Sequence, residues 1–221
     1  MPDVGAVPSG ESGRALLARA LHPLVRALVA AHVSPNAITA ASLVAGGVAG
    51  ASVATGHLGL GAGALVAASL GDALDGLVAR QSGTASVAGA LFDSAVDRYE
   101  EAMVLSGLAF LFRASPVLFA LSLLALVGSF MVSYGSAKAE ALRVPVPGGV
   151  MRRAERAACM CLGLALTPGA EVLVRQHALA PSLSYLPVAV ALGVVAVASN
   201  VSGVSRLRRI AADASARSSP E

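Results

Sequence analysis

Long apolar runs separated by short polar segments dominate this sequence. Residues 27–71 contain no Asp, Glu, Lys or Arg, and neither do residues 114–137 and 176–205. A helix needs about 20 apolar residues to cross a bilayer, so the longest run accommodates two crossings. The pattern of apolar runs, Ser-Pro helix starts and Gly- or Pro-rich turns predicts six spanning helices. They cover residues 36–54, 60–78, 88–112, 115–142, 151–166 and 181–207.

The segment before the first crossing has a different pattern. In residues 14–31, Leu and Val recur about every four residues, with Arg19, His22 and Arg26 on the opposite side. This predicts an amphipathic helix in the membrane interface, broken or kinked at Pro23. The alternative, a partly buried helix of a soluble domain, is disfavoured by the apolar chain that follows. We expect a disordered N-terminus, an interfacial helix, a six-helix membrane catalytic domain and a loose tail, over residues 1–13, 14–33, 34–210 and 211–221.

The composition supports the same fold class, an all-α integral membrane protein. Hydrophobic residues make up 56% and charged residues 13% of the chain, whereas soluble domains carry roughly 25% charged residues. With six crossings both termini share one side. Of the sixteen Lys and Arg residues, only Arg113 and Arg175 fall on the other side. The positive-inside rule then predicts a multi-pass protein of the cell membrane with cytosolic termini.

Four aspartates stand out in a chain that has only thirteen acidic residues. Asp72 and Asp75 lie near the end of the second predicted crossing, and Asp93 and Asp97 lie near the start of the third. Members of each pair are three or four residues apart and therefore share a helix face. A short loop joins the two helices, so we expect antiparallel neighbours. Their four carboxylates would then converge at the cytosolic end of the bundle.

Such a cluster needs compensating positive charge in a low-dielectric environment. Oxygen ligands without nearby Cys or His favour Mg²⁺, Mn²⁺ or Ca²⁺ over zinc. Four carboxylates could hold two ions, an arrangement suited to phosphoryl chemistry. Two alternatives remain open: a helical hairpin end neutralised by Arg80, Arg98 and Lys138, and a non-catalytic membrane carrier of divalent cations. A carrier is expected to place its ionisable groups near mid-membrane.

The spacing of these aspartates resembles the signature of the CDP-alcohol phosphotransferase family at all eight of its fixed positions. In this chain it reads Asp72-x₂-Asp75-Gly76-x₂-Ala79-Arg80-x₈-Gly89-x₃-Asp93-x₃-Asp97. The segment Pro35-Asn36-x₂-Thr39 resembles the start of the family's first spanning helix. Together with the amphipathic helix and the six crossings, the resemblance covers about residues 14–210.

The resemblance implies an enzyme that moves a phosphatidyl group from CDP-diacylglycerol to an alcohol and releases CMP. It implies a homodimer and a cofactor of Mg²⁺ or Mn²⁺, as two ions, with no nucleic-acid partner. Asp72, Asp75, Asp93 and Asp97 would bind the metal. Asp97 would also be the general base for the acceptor hydroxyl. The CDP-lipid would contact Thr39, Gly76, Arg80 and Gly89.

Two further segments bear on the acceptor. Residues 133–140, SYGSAKAE, resemble the SYxKARAE stretch of bacterial phosphatidylinositol-phosphate synthases, and residues 148–156, GGVMRRAER, resemble their GGxxERxER stretch. A basic residue that closes their sixth helix is matched by Arg206. The resemblance implies inositol phosphate as acceptor, with its phosphate held by Lys138, Arg153, Arg156 and Arg206.

This chain departs from that pattern at two positions. Ser136 stands where the relatives carry Lys, and Lys138 stands where they carry Arg, which loses the bidentate fork of a guanidinium. Similar segments recur more loosely in phosphatidylglycerophosphate synthases, so glycerol 3-phosphate is an alternative acceptor. The basic residues could also be only topological anchors on the cytosolic side.

Overall fold

The computed structural model describes residues 9–145 and 149–218. Within those residues the chain forms seven α-helices and one short 3₁₀ helix, and no strand. The α-helices are α1 Ser9–Ala30, α2 Pro35–Ala54, α3 Leu58–Ser82, α4 Val87–Leu111, α5 Pro116–Ala141, α6 Arg153–Gln176 and α7 Leu186–Ser218. The 3₁₀ helix, Pro181–Tyr185, directly precedes α7.

Five of the described helices are long and apolar enough to cross a membrane: α2, α3, α5, α6 and the segment Pro181–Ala216. The chain is therefore an all-helical, multi-pass membrane protein. The helix α4 has 25 residues, but it carries Asp93, Asp97, Arg98, Glu100 and Glu101 before its last ten residues. The sixth crossing by α4 and the interfacial position of α1 stay predictions.

Local capping chemistry fixes the helix ends that the sequence predicts well. The helix α2 follows Ser34, whose hydroxyl accepts a hydrogen bond from the backbone N–H of Ala37 at 3.2 Å. The helix α4 follows Ser86, whose hydroxyl accepts from the N–H of Gly89 at 3.0 Å. After α3 ends at Ser82, Gly83 adopts the left-handed conformation with φ +68°.

The helix α1 continues through Pro23, where we expected a break or a kink. The predicted end of the fifth crossing at residue 166 is wrong, because α6 continues through Pro168 to Gln176. Membrane helices tolerate proline because Ser or Thr side chains and neighbouring helices satisfy the freed backbone groups. Next to Pro168, the Thr167 hydroxyl donates to the carbonyl of Gly163 at 2.7 Å. The tail expected to be loose is helical through Ser218, which fits its Ala-rich sequence.

At the N-terminus, α1 begins at Ser9, so part of the expected disordered segment is helical. Residues 1–8 and 219–221 lie outside the described part of the chain. So does Gly148 of the GGVMRRAER segment.

The six helices after α1 pack as a closed ring, in the order α2, α3, α6, α7, α5, α4 and back to α2. The two helices that carry the aspartates have few contacts with each other, because α2 packs against both. Our expectation that these two helices pack directly against each other is therefore wrong for most of their length, although their aspartates still meet. Glycines allow the close approach of α2 and α4: a Cβ atom on Gly107 would lie 2.4 Å from the carbonyl oxygen of Gly50.

Apolar and charged residues occupy different parts of this ring. Leu108, Leu164 and Leu192 belong to the main apolar core and are fully buried. Among the described residues, the buried charged side chains are those of Asp75, Glu100, Arg156 and Arg206. They lie in the last third of α3, the middle of α4, the first turn of α6 and the second half of α7. The topology therefore gathers the buried charge at one end of the bundle.

Candidate active site

Three of the four predicted aspartates meet at this end. Asp72, Asp93 and Asp97 each offer a carboxylate oxygen, and these atoms lie within 4.8 Å of one another. Asp75 is 4% exposed and sits beside the group, where it interacts electrostatically with Asp93 and Asp72. Its Oδ2 accepts a hydrogen bond from Oγ1 of Thr39 at 2.5 Å. Thus α2 orients one carboxylate of α3.

Glu100 adds a carboxylate that the sequence analysis missed. It is 2% exposed and interacts electrostatically with Asp72. Gly46 of α2 makes room for it, since a Cβ atom there would lie 2.6 Å from Cγ of Glu100. The signal was present in the sequence. Glu100 follows Asp93 by seven residues and Asp97 by three, and residues at these spacings share one helix face.

One guanidinium joins these carboxylates. Nη2 of Arg153 lies 2.5 Å from Oδ2 of Asp72, 2.9 Å from Oδ1 of Asp97 and 2.6 Å from Oε2 of Glu100. We predicted that Arg153 holds the acceptor's phosphate. The structure places its guanidinium against the carboxylates of Asp72, Asp97 and Glu100.

The residues present fit a divalent cation. Within the described part of the chain, four buried oxygens meet no hydrogen-bond geometry: both of Asp72, Oδ1 of Asp97 and Oε1 of Glu100. Of these, Oδ2 of Asp72 and Oδ1 of Asp97 have an ion-pair contact with Nη2 of Arg153. Buried carboxylates are unfavourable unless positive charge compensates them. Arg153 brings a single positive charge to three carboxylates. A set of hard oxygen donors with surplus negative charge suits Mg²⁺ or Mn²⁺.

The four residues expected to contact the CDP-lipid lie on α2, α3 and α4. Thr39 is buried against Asp75. Arg80 is exposed, and its Nη1 would lie 3.4 Å from a Cβ atom on Gly76. A Cβ atom on Gly89 would lie 3.6 Å from Oδ1 of Asn36. The start of α4 therefore lies close to the start of α2.

A cavity of about 470 Å³ opens beside the carboxylates. Helices α4, α5, α6 and α7 all contribute to its wall, which includes Asp97, Glu101, Ser136, Arg153, Arg156 and Arg206. Three of the four residues assigned to the acceptor's phosphate are therefore brought together. Asp97 belongs both to this wall and to the aspartate group.

The fourth residue, Lys138, is not brought to the cavity. It is exposed on α5, whereas the cavity side of α5 presents Val132, Ser133, Ser136 and Glu140. A residue two positions after Ser136 is rotated by about 200° around the helix axis. The assignment of Lys138 to the acceptor site is therefore not supported by its position, and Ser136 is the residue that faces the cavity.

Arg206 points a buried guanidinium at this cavity. It is 6% exposed, and its Nη1 donates to the hydroxyl of Ser136 at 2.9 Å. Its Nε makes no hydrogen bond within the described residues. A nearly buried cation with an unused donor at a cavity wall is suited to an anionic ligand.

Arg156 is held more tightly by the protein. It is 1% exposed, and its Nε and Nη2 donate to Oε1 and Oε2 of Glu101 at 2.5 and 2.8 Å. Its Nη1 donates to the carbonyl of Met151 at 2.7 Å. Glu101 was not among the predicted site residues, although it follows Asp97 by four residues on the same helix.

Known proteins resemble this chain in sequence over most of its length. A sequence model of the CDP-alcohol phosphatidyltransferase family matches residues 32–201. A phosphatidylinositol phosphate synthase of Cutibacterium acnes is 33% identical over 194 residues, covering 84% of this chain and 93% of the relative. Another, from Streptomyces avermitilis, is 31% identical over 236 residues, covering 100% and 91%.

Solved structures of phosphatidylinositol phosphate synthases are similar to this chain in fold. The phosphatidylinositol phosphate synthase of Mycobacterium tuberculosis with CDP-DAG bound superposes with a TM-score of 0.73 at 28% identity, covering 87% of this chain and 94% of that one. The same enzyme in complex with manganese and citrate gives a TM-score of 0.74 at 28% identity, covering 85% and 87%.

Proposed function

The chain belongs to the CDP-alcohol phosphatidyltransferase family, and from this premise we propose that it makes phosphatidylinositol phosphate. In this reaction the phosphatidyl group of CDP-diacylglycerol is transferred to a hydroxyl of inositol phosphate, and CMP is released. Relatives in Cutibacterium and Streptomyces that carry this activity in their names cover nearly the whole chain. The observation that carries the proposal is the position of Asp97, which lies in the aspartate group and in the wall of the arginine-rich cavity.

Asp72, Asp75, Asp93 and Asp97 would hold the metal, Mg²⁺ or Mn²⁺, as two ions. When bound, the ions would neutralise the pyrophosphate and polarise the phosphorus that is attacked. The manganese complex of the Mycobacterium tuberculosis enzyme supports a divalent metal, as do the buried carboxylate oxygens without hydrogen bonds. Thr39, Gly76, Arg80 and Gly89 would contact the CDP portion of the lipid.

Asp97 would be the general base. A hydroxyl bound in the cavity would give its proton to this carboxylate as its oxygen attacks the lipid-bearing phosphorus. A new P–O bond forms there, and the P–O bond to CMP breaks. The other residues around Asp97 would position the two substrates. Those on α2 and α3 would hold the CDP-lipid, and those on α6 and α7 would hold the acceptor.

The acceptor's phosphate would be held by Arg206, Arg156 and Arg153. Three guanidinium groups around one cavity provide charge-assisted hydrogen bonds that a neutral alcohol does not need. Ser136 gives this cavity one cation fewer than the inositol-phosphate relatives have, and this favours glycerol 3-phosphate as the second candidate.

The proposal extends to the membrane arrangement. With α4 as the sixth crossing, the aspartates and the cavity face the cytosol at the cell membrane. The exposure of Leu16 (70%) and Leu24 (45%) on α1 supports an interfacial helix. The resemblance implies a homodimer, a prediction that mass measurement of the detergent-solubilised protein would test.

Purified protein with CDP-diacylglycerol and Mg²⁺ tests the function directly. CMP release and lipid products are measured with inositol phosphate, glycerol 3-phosphate, inositol and serine as acceptors. We expect the highest kcat/KM with inositol phosphate. A preference for glycerol 3-phosphate would reassign the acceptor. A preference for inositol or serine would refute the phosphate site, and no CMP release with any acceptor would refute the reaction class.

A further inference from the structure

Arg153 lies between the buried carboxylates and the arginine-rich cavity and contacts both. Its guanidinium contacts Asp72, Asp97 and Glu100 through a single atom, Nη2. The same side chain lines the arginine-rich cavity. It is 31% exposed, whereas the side chains of Asp72 and Glu100 are 9% and 2% exposed. The guanidinium thus covers the buried carboxylates and has one side open to the cavity.

A divalent cation and this guanidinium would compete for the same oxygens. Mg²⁺ binds oxygen ligands at about 2.0–2.1 Å, and Nη2 already lies 2.5 Å from Oδ2 of Asp72. Two positive centres on one oxygen repel each other strongly in a buried site. Each must therefore weaken the binding of the other.

Release of the guanidinium requires only a local change. Arg153 is the first residue of α6, and its side chain ends at the boundary between the carboxylates and the cavity. Rotation about its side-chain bonds would carry the guanidinium into the cavity without moving a helix. There it would join Arg206, whose Nε makes no hydrogen bond within the described residues.

We propose that Arg153 couples metal binding to acceptor binding, an inference that rests on the proposed function. A cation that binds Asp72 and Asp97 displaces the guanidinium toward the cavity. The displaced guanidinium then pairs with the acceptor's phosphate. Binding of the cation then strengthens binding of the acceptor. By thermodynamic linkage, the acceptor strengthens binding of the cation by the same factor.

The first test measures Mn²⁺ affinity of the purified full-length protein without substrates, from the free Mn²⁺ signal in electron paramagnetic resonance. Arg153→Gln should bind Mn²⁺ about tenfold or more tightly than the wild type, because the competing cation is gone. Arg152→Gln is the matched control, since Arg152 is the adjacent arginine and lines the same cavity. Arg153→Lys keeps a positive charge and should stay near the wild-type affinity.

The second test measures binding of inositol phosphate by calorimetry, without CDP-diacylglycerol, in Mn²⁺ and in EDTA. The wild type should bind more tightly in Mn²⁺, and Arg153→Gln should lose most of that difference. Equal Mn²⁺ affinities of Arg153→Gln and Arg152→Gln would overturn the competition, as would equally tight binding by Arg153→Lys and Arg153→Gln. Equal acceptor affinity in Mn²⁺ and EDTA would overturn the coupling. The Mn²⁺ comparison needs no turnover, so it is independent of whether the proposed reaction is correct.

Discussion

Arg156, which is buried, and Glu101, which is partly buried, form a bidentate ion pair between α6 and α4, with N–O distances of 2.5 and 2.8 Å. The third contact of Arg156, to the carbonyl of Met151, reaches the segment just before α6. Met151 has φ +61°, a backbone conformation that is unfavourable for a residue other than glycine. The ion pair therefore fixes α6 against α4 and holds the chain that leads into the arginines of the cavity.

Replacing Glu101 with Gln should destabilise the protein and weaken acceptor binding. Gln keeps the shape but leaves a buried guanidinium without its counter-charge, a change that costs about 3–5 kcal/mol in buried pairs. We expect a lower thermal midpoint in detergent and a higher KM for the acceptor. The control is Glu140→Gln, because Glu140 lines the same cavity but is exposed. Equal midpoints for the two variants would contradict the assigned role of the pair.

Substitution of Arg206 should impair use of the acceptor more than substitution of Lys138, although both were predicted to hold the acceptor's phosphate. Arg206→Ala should lower kcat/KM for the acceptor by about tenfold or more, since a charged hydrogen bond contributes about 1.5–3 kcal/mol. Lys138→Ala should change it little, because Lys138 is exposed and outside the cavity wall. Steady-state kinetics at saturating CDP-diacylglycerol decides between them, and an equal loss in both variants would show that position at the cavity is not the cause.

Thr39→Val should weaken metal binding. The substitution removes the hydroxyl that donates to Asp75 and keeps the side-chain volume. Asp75 is a proposed metal ligand, and loss of a hydrogen bond that orients such a ligand typically lowers metal affinity or activity about 10- to 100-fold. Thr55→Val is the control at the other end of α2, where the hydroxyl donates to the carbonyl of Ala51. Titration with Mn²⁺ measures the difference, and similar affinities for both variants would contradict the prediction.

Asp97→Asn should abolish transfer while the protein stays folded and still binds CDP-diacylglycerol. An amide cannot accept the acceptor's proton, and Asp97 is the member of the aspartate group that also lines the cavity. Asp72→Asn is the comparison, because it changes a proposed metal ligand away from the cavity wall. Loss of CDP-lipid binding equal to that of Asp72→Asn would limit Asp97 to metal binding, and near-normal CMP release would remove it from the mechanism.

Gly107→Ala should destabilise the bundle without touching the site. The new Cβ atom would lie 2.4 Å from the carbonyl oxygen of Gly50. Because that atom is backbone, α2 and α4 must separate, and overpacking of this kind costs about 1–3 kcal/mol. Gly63→Ala is the control, since a Cβ atom there has no neighbour within 4 Å. Thermal unfolding in detergent should show a lower midpoint only for Gly107→Ala.

The sequence by itself determined the helices and the character of the site. Apolar runs and Ser-Pro or Ser caps depend on residues within a few positions of one another, so the starts of α2, α4 and α5 agree with the prediction to within a residue. The aspartate spacings fix which carboxylates share a face of one helix, and that too is a local property. Proline was the one of these local signals that gave a wrong helix end. We expected the fifth crossing to end before Pro168, but α6 continues through it, as membrane helices can.

Only the tertiary structure decided how these faces meet. The helix α5 is apolar around most of its circumference, so nothing in its own pattern says whether Ser136 or Lys138 faces the cavity. That rotation depends on contacts with α4 and α7 summed along the whole helix. The same holds for the position of α2 between α3 and α4. It holds also for the pairing of Arg153 with the aspartates. Spacing along a chain fixes the directions of side chains around one helix axis, but it cannot fix the rotation of one helix against another.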